Sequence, residues 1–483
     1  MNIFEKKPVF LVGTFFFTGC GLGTGVHFSN SNTLNSQNTA QQPLLESPVP
    51  WLVVYYGMGD NDLSQDVRQD IAEMETVGST SSVLVVGQVD FSAKRSPDSD
   101  SRFIVKAAPG SDFGELSKQM GFSTPVAKFR EIDSGNPDVL KDFLRWAIQK
   151  FPADHRALVL SGHGYGFSTR VRNEKIPIGG AVSADRFATS RSGTRYFSHD
   201  EFPAEGFEGK SSLTTLELTN ALAQINSEFS FQNSQASNAF EVVVADSCVS
   251  QTIENAYALR NVTNYYVASQ ETERASGHDW GRTLYALNEA SRVWDPFKRS
   301  SLPFDAGRFA SAVVDGYVAQ NLPNTQLSVV DVTKLEPVVQ GLRKFAEEAF
   351  AKSDLVEKWM SERKPYFGGL LAPKIWVDIY TMIYDLSIAG VVSPSTKAQI
   401  SDGLKKAVVE NRARGPGSVG MAHGLSLTLP GKAVASNSSG SRVSENFEIE
   451  VELGIGESEV IQGPIFSLLS KIYCKPQTPC GSP

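Results

Sequence analysis

Ala157-Leu158-Val159-Leu160-Ser161-Gly162-His163-Gly164 and Glu241-Val242-Val243-Val244-Ala245-Asp246-Ser247-Cys248 decide the fold. Each is a short, unbroken apolar run. That is the pattern of a strand buried on both faces, as in a parallel sheet covered by helices. Each run ends in one reactive side chain, His163 or Cys248. A thiol and an imidazole at the carboxyl ends of neighbouring strands are the minimum parts of a cysteine nucleophile and its base. In open α/β sheets that edge is where ligands bind.

Working outward, residues 51–56 (Trp-Leu-Val-Val-Tyr-Tyr) read as a first strand ending at Gly57. Asp60-Asn61-Asp62 follows where a helix cap is expected, and Leu63, Val67, Ile71, Met74 and Val77 then fall at helical spacing. Residues 83–89 make a second strand and 102–107 a third, open to antiparallel pairing. Asn136-Pro137 starts a helix with one apolar stripe from Val139 to Phe151. Residues 213–225 and 252–260 read as helices, and 265–269 as a further strand. This alternation predicts an α/β fold, a mostly parallel sheet flanked by helices. Beyond residue 300 the chain is helix-rich, with a late strand in 418–430. The stretch 164–212 is rich in Gly, Ser, Arg and Asp and has no sustained periodicity, which suits a functional or mobile loop.

The chain has 483 residues and a net charge of −8, with 45 Lys and Arg against 53 Asp and Glu. No dense basic block is present, so nucleic acid is not an expected partner. The first 20 residues read as a targeting segment. Lys6 and Lys7 precede an apolar run over 9–17 that is too short to span a bilayer. Phe17-Thr18-Gly19-Cys20 then resembles a bacterial lipobox, although Leu is usual where Phe17 stands. Lipidation at Cys20 would anchor the protein in the cell envelope. Gly21 carries no inner-membrane retention signal, which points to an outer membrane.

Residues 21–50 are rich in Ser, Asn and Gln and hold one charged residue, Glu46. Such a segment cannot bury enough surface to fold and reads as a tether spanning roughly 30 Å. A catalytic domain over 51–300 and a C-terminal helical region over 301–483 complete the expected organisation. Cys474 and Cys480 are spaced for a small-loop disulfide, which export would permit. That leaves Cys248 unpaired, as a reactive thiol would be.

The chain resembles the clostripain-like cysteine peptidases, which belong with the caspase, legumain and gingipain fold. The likeness rests on residues 51–63, on the His-Gly strand over 158–164, on Asp246-Ser247-Cys248, and on Val267-Ala268-Ser269 with Gly277-His278-Asp279-Trp280. Gly424-Leu425-Ser426-Leu427 is a weaker fifth. The resemblance implies a caspase-like sheet, a Cys248–His163 dyad, and cleavage of peptide substrates with basic residues. It implies that Asp246 lines a pocket for a substrate Arg or Lys. The family often has a second acid shortly before Gly-Trp. Ala275-Ser276-Gly277 lacks it, though Glu271, Glu273 and Asp279 are near. Family members are often cut between the His and the Cys by their own activity, and Arg186, Arg191 and Arg195 offer such sites here.

Beside the resemblance stands the chemistry. Cys248 needs its thiolate to attack a carbonyl, and His163 can take that proton or protonate the leaving amine. The backbone N–H groups of Gly164 and Cys248 suit the oxyanion of an acyl-transfer intermediate. Alone, Cys248 reads as a buried hydrophobe and His163 as a structural histidine. Asp246 reads alternatively as a cap of the following helix. Asp60 and Asp62 could hold a cation, but capping of the strand-to-helix turn is the simpler reading. His199, His278 and His423 lack zinc spacing, Asp98 and Asp100 lack calcium-loop spacing, and no phosphate loop occurs. No metal or cofactor is expected. The reading is a monomeric, lipid-anchored cysteine endopeptidase. The alternative is a surface lipoprotein that binds a partner on a non-catalytic caspase-like fold.

Overall fold

The computed structural model describes residues 48–91, 100–108, 122–123, 125–129, 131–164, 166–167, 198–200, 211–229, 238–274, 276–292, 294–295, 300–301, 303–323, 325–362, 376–415, 422–429 and 457–473. Cys20, Cys474, Cys480, Arg186, Arg191 and Arg195 lie outside them, so the expected lipidation, disulfide and self-cleavage fall on residues not described.

The chain enters through β1 (Val49–Gly59), α1 (Ser64–Val77), β2 (Val83–Phe91), β3 (Ser101–Ile104), β4 (Pro125–Lys128), α2 (Pro137–Lys150) and β5 (Ala153–Ser161). A hairpin of β6 (Ser198–Asp200) and β7 (Ser211–Leu213) precedes α3 (Thr215–Glu228). Next come β8 (Val242–Asp246), α4 (Ile253–Ala258), β9 (Tyr265–Ala268) and α5 (Trp280–Ser291). A small hairpin of β10 (Trp294–Asp295) and β11 (Ser300–Ser301) leads to α6 (Ala306–Val318) and β12 (Thr325–Asp331). The C-terminal part holds α7 (Glu336–Phe350), α8 (Ser353–Glu362), β13 (Trp376–Asp378), α9 (Ile379–Ile388), α10 (Pro394–Ala407), β14 (Val408–Arg414), β15 (Ser426–Thr428) and α11 (Pro464–Tyr473).

Nine strands form one sheet in the order β14-β12-β9-β8-β5-β1-β2-β3-β4. The run from β9 to β2 is parallel. Both flanks are antiparallel, so the sheet is mixed, with the expected parallel order confined to its centre. The central strands alternate strictly between two apolar layers. Leu52, Val54, Tyr56, Leu158, Leu160, Val243 and Ala245 face one core with α2 and α3. Trp51, Val53, Tyr55, Ala157, Val159, Val242 and Val244 face the other with α1, α5 and α6. Truncating one such side chain to Ala costs roughly 2–5 kcal/mol, and a one-residue slip of register would exchange the two layers at once.

Local signals explain most helix starts. Asn136 caps α2 by accepting from the Asp138 N–H, and Thr214 and Glu217 form a reciprocal capping box on α3. The start of α1 differs from expectation. Its N-cap residue is Leu63, with no side-chain cap. Asn61 shapes the turn instead: its Oδ1 accepts from the Leu63 N–H at 2.9 Å and its Nδ2 donates to the Met58 carbonyl at 3.0 Å. Asp60 and Asp62 are therefore released from capping.

The second difference concerns the region after residue 300. It is helix-rich, as expected, yet β12 pairs antiparallel with β9, and β14 pairs with β12. The sequence did not suggest these strands, because Gln326 and Ser328 interrupt the apolar run of β12 and the polar β14 sits at the sheet edge. Among the described residues no helix is long and apolar enough to cross a membrane. A chain ended at residue 300 should accordingly fail to fold cooperatively, since β9 loses its neighbour. Circular dichroism melting checks this, and a sharp two-state transition in the truncated protein would refute it.

Candidate active site

β5 and β8 pair in parallel with Ser161 opposite Asp246, so both chains leave the sheet at the same edge. The Gly162 N–H donates to the Asp246 carbonyl at 3.2 Å. His163 and Cys248 each follow two residues beyond their strand ends. The two turns touch: a Cβ on Gly164 would lie 2.5 Å from the Cys248 carbonyl oxygen and 2.7 Å from the Ser247 Cβ. Only glycine permits that approach. Val249, the next residue, has a φ of 46°, a costly conformation for a β-branched side chain. Its N–H is tied to the Glu271 carbonyl at 2.8 Å, which helps to hold the turn that carries Cys248.

His163 Nε2 lies 2.6 Å from Asp62 Oδ1. With Nε2–H donating to that carboxylate, the lone pair remains on Nδ1. Asp62 thus orients the ring, a role the sequence reading missed. The one available signal was that the residue follows the end of a strand. That β1 neighbours β5 in parallel, with Gly57 opposite Ser161, is a fact of sheet order.

Cys248 is half-buried, and its Sγ donates to the Glu273 carbonyl at 3.6 Å. Burial, reinforced by the Glu273 carboxylate, pushes the thiol up to about 12. In this resting arrangement the sulfur is protonated at neutral pH.

Asp246 does not cap the following helix; Thr252 caps α4. Asp246 is only 3% exposed. Its carboxylate accepts from the His278 N–H at 3.2 Å and from the Trp280 indole N–H at 2.8 Å. Gly277, at a φ of 54°, passes so close that a Cβ there would sit 2.7 Å from Asp246 Oδ1. Glu273 joins this group, with both carboxylate oxygens enclosed and accepting no hydrogen bond. His278 Nε2 lies 3.8 Å from Asp246 Oδ1 and 3.6 Å from Glu273 Oε2. Burial alone would lower His278, but the carboxylates of Asp246 and Glu273 outweigh it and lift the ring to about 8. Burial raises Glu273 to about 8, with His278 restraining it. The donor atoms of Asp246, Glu273 and His278 lie within 4.8 Å of one another. That is close enough to hold a cation, and the protonated His278 ring is itself one.

Residues 54–409 match the model of the clostripain family of peptidases. Three solved structures share the fold. A secreted C11 cysteine protease from Bacteroides thetaiotaomicron bound to an irreversible peptide inhibitor is 16% identical, with 84% of this chain and 99% of that chain covered and a TM-score of 0.50. An inactive zymogen C11 protease from Parabacteroides distasonis is 14% identical, with 85% and 99% covered and a TM-score of 0.53. Iotapain, a secreted C11 cysteine protease from Bacteroides thetaiotaomicron, is 13% identical, with 87% and 99% covered and a TM-score of 0.53. No curated protein matches the sequence.

Replacing Glu273 with Gln removes the negative charge beside the thiol. The Cys248 pKa should fall, and above pH 8, where Glu273 is ionised, iodoacetamide should alkylate the protein faster, by up to about tenfold per unit of that fall. An unchanged alkylation rate across pH 7–10 would exclude Glu273 as a cause.

Proposed function

The chain belongs to the clostripain family and is a cysteine-type peptidase, and we propose that Cys248 is its nucleophile and His163 its general base. The observation that carries this reading is the contact between the two turns, Gly164 against the Cys248 carbonyl. His163 Nδ1 takes the Cys248 proton as substrate displaces the resting contacts. The thiolate attacks the scissile carbonyl carbon, and the N–H groups of Gly164 and Cys248 receive the oxyanion. The imidazolium then protonates the leaving amine, and a water activated by the same ring hydrolyses the thioester. Asp62 stabilises the imidazolium that forms in between.

A preference for Arg or Lys before the scissile bond is supported by two buried carboxylates near the thiol, Asp246 and Glu273. Glu273 supplies the second acid missing from Ala275-Ser276-Gly277. His278 competes with a substrate cation for both. Since Glu273 and His278 each sit at about 8, raising the pH through that value leaves two carboxylates facing a neutral ring. Discrimination for basic over neutral substrates should therefore grow as pH rises through about 8. The natural setting proposed is the cell envelope, with the anchor at Cys20. A fatty-acid analogue should label the wild type and not Cys20→Ala; an unlabelled mature wild-type protein would remove the anchor.

Cys248→Ala and His163→Ala should each abolish cleavage of a fluorogenic peptide, and Asp62→Ala should lower kcat by roughly tenfold or more. Near wild-type turnover in Cys248→Ala would overturn the assignment. Asp246→Asn should weaken basic substrates far more than neutral ones, because the wrong pairing leaves a buried charge unmatched. Equal losses on both classes would make Asp246 structural.

A further inference from the structure

Three side chains that could ligate a metal converge beside Cys248. Asp246 ends β8, while Glu273 and His278 lie between β9 and α5. One donor atom from each lies within 4.8 Å of the others. The side chains of His278, Asp246 and Glu273 are 0%, 2% and 3% exposed. Asp246 is served by two N–H donors, from His278 and Trp280. The other two are not: both carboxylate oxygens of Glu273 and both ring nitrogens of His278 are enclosed and make no hydrogen bond. His278 Nε2 lies 3.6 Å from Glu273 Oε2 and 3.8 Å from Asp246 Oδ1, beyond hydrogen-bond range. Attraction between charges at those distances offsets part of the desolvation cost, but the hydrogen-bonding groups stay unsatisfied. The ring is held in place by its neighbours, stacked on Trp280 at 5.5 Å between centroids and tilted against Tyr317 at 4.7 Å.

We propose that Asp246, Glu273 and His278 bind a zinc-class divalent ion, and that the bound ion shuts the pocket to a substrate cation. An imidazole with two carboxylates is a donor set that suits zinc, whereas calcium and magnesium select oxygen alone. Bonds of about 2.0–2.1 Å in a tetrahedron set neighbouring ligand atoms roughly 3.3 Å apart. The distances of 3.6 and 3.8 Å from His278 Nε2 therefore need to close by only a few tenths of an ångström. Two carboxylates balance the charge of the ion, and the neutral ring offers it the Nε2 lone pair. The fourth position is left to water. The Cys248 thiol is not one of the donors, since its Sγ is turned to the Glu273 carbonyl. Binding here thus differs from capture of a metal by a bare thiolate. The blocking effect rests on the reading of Asp246 and Glu273 as the receptor for a substrate Arg or Lys, whereas the binding itself does not.

The test titrates purified full-length protein, freed of metal by a chelator, with zinc chloride in a calorimeter and with cobalt chloride in a spectrophotometer. Zinc should bind at a site that Cys248→Ala retains and that Glu273→Gln and His278→Gln each weaken by at least about tenfold. Cobalt at that site should give visible bands without the near-ultraviolet absorption of a thiolate ligand. Excess calcium chloride or magnesium chloride should not displace the zinc. Metal-free Glu273→Gln should melt no lower than the metal-free wild type, because a buried charge is gone; this separates lost binding from lost fold. Zinc should raise KM for an Arg peptide and leave kcat unchanged. The binding proposal is overturned if Cys248→Ala abolishes the site, or if both Glu273→Gln and His278→Gln keep the wild-type affinity. If zinc binds through these residues but leaves KM for the Arg peptide unchanged, the blocking effect is overturned and the metal site stands.

Discussion

The register of three parallel strands governs the rest of the structure. β1 lies between β2 and β5, and β5 lies between β1 and β8. Gly57 pairs with Ser161, and Ser161 with Asp246. Three turns therefore leave the sheet side by side, bearing Asp62, His163 and Cys248. Each strand is apolar on both faces, so its position is fixed from above and below. A shift in any strand would exchange two core layers before it moved the site. The precision needed for proton transfer is thus supplied by burial far from the chemistry.

Charge accumulates at this edge in a way a folded core normally avoids. Beneath the site Asp70 is fully buried and pushed well up by burial and by its neighbour Asp246. The Tyr55 hydroxyl donates to it at 2.7 Å and the Ser161 hydroxyl at 3.0 Å. Glu73 is raised to about 7 by burial while accepting from the Trp280 N–H at 3.0 Å. With Asp246 and Glu273 they form a continuous acidic floor, and the buried imidazole of His278 is set against its two members nearest Cys248. Such a floor favours cations and disfavours the thiolate. It adds to the burial that chiefly raises the thiol, and it suits the site to a basic side chain. Perturbed groups of this kind concentrate where function demands them.

The C-terminal third braces this site directly. Gln270, in the loop after β9, receives and gives hydrogen bonds across the molecule. Its N–H donates to Gln326 Oε1 at 2.6 Å, and its Nε2 donates to Ser426 Oγ at 3.0 Å. Its Oε1 accepts from the Gly424 N–H at 2.7 Å. Ser426 also donates its N–H to the Gln251 carbonyl at 3.1 Å. The segments after Cys248 and around Glu273 are therefore held by residues between 56 and more than 150 positions later in the chain.

The sequence by itself determined the parallel centre of the sheet, because runs such as Val242-Val243-Val244 are stable only when covered on both faces. It determined where α2 and α3 begin, through Asn136 and Thr214, because capping is a local hydrogen bond. It singled out His163 and Cys248, each as the reactive residue ending such a run. The tertiary structure alone decided that β1 neighbours β5, and with it that Asp62 meets His163 rather than capping a helix. It alone decided that β12 and β14 complete the sheet, since their polar positions match an edge and its neighbour only once the rest is assembled. It also brought Glu273 and His278 against Asp246. Local patterns follow from forces between residues close in sequence. The partners of a buried charge come from distant segments, and packing chooses them.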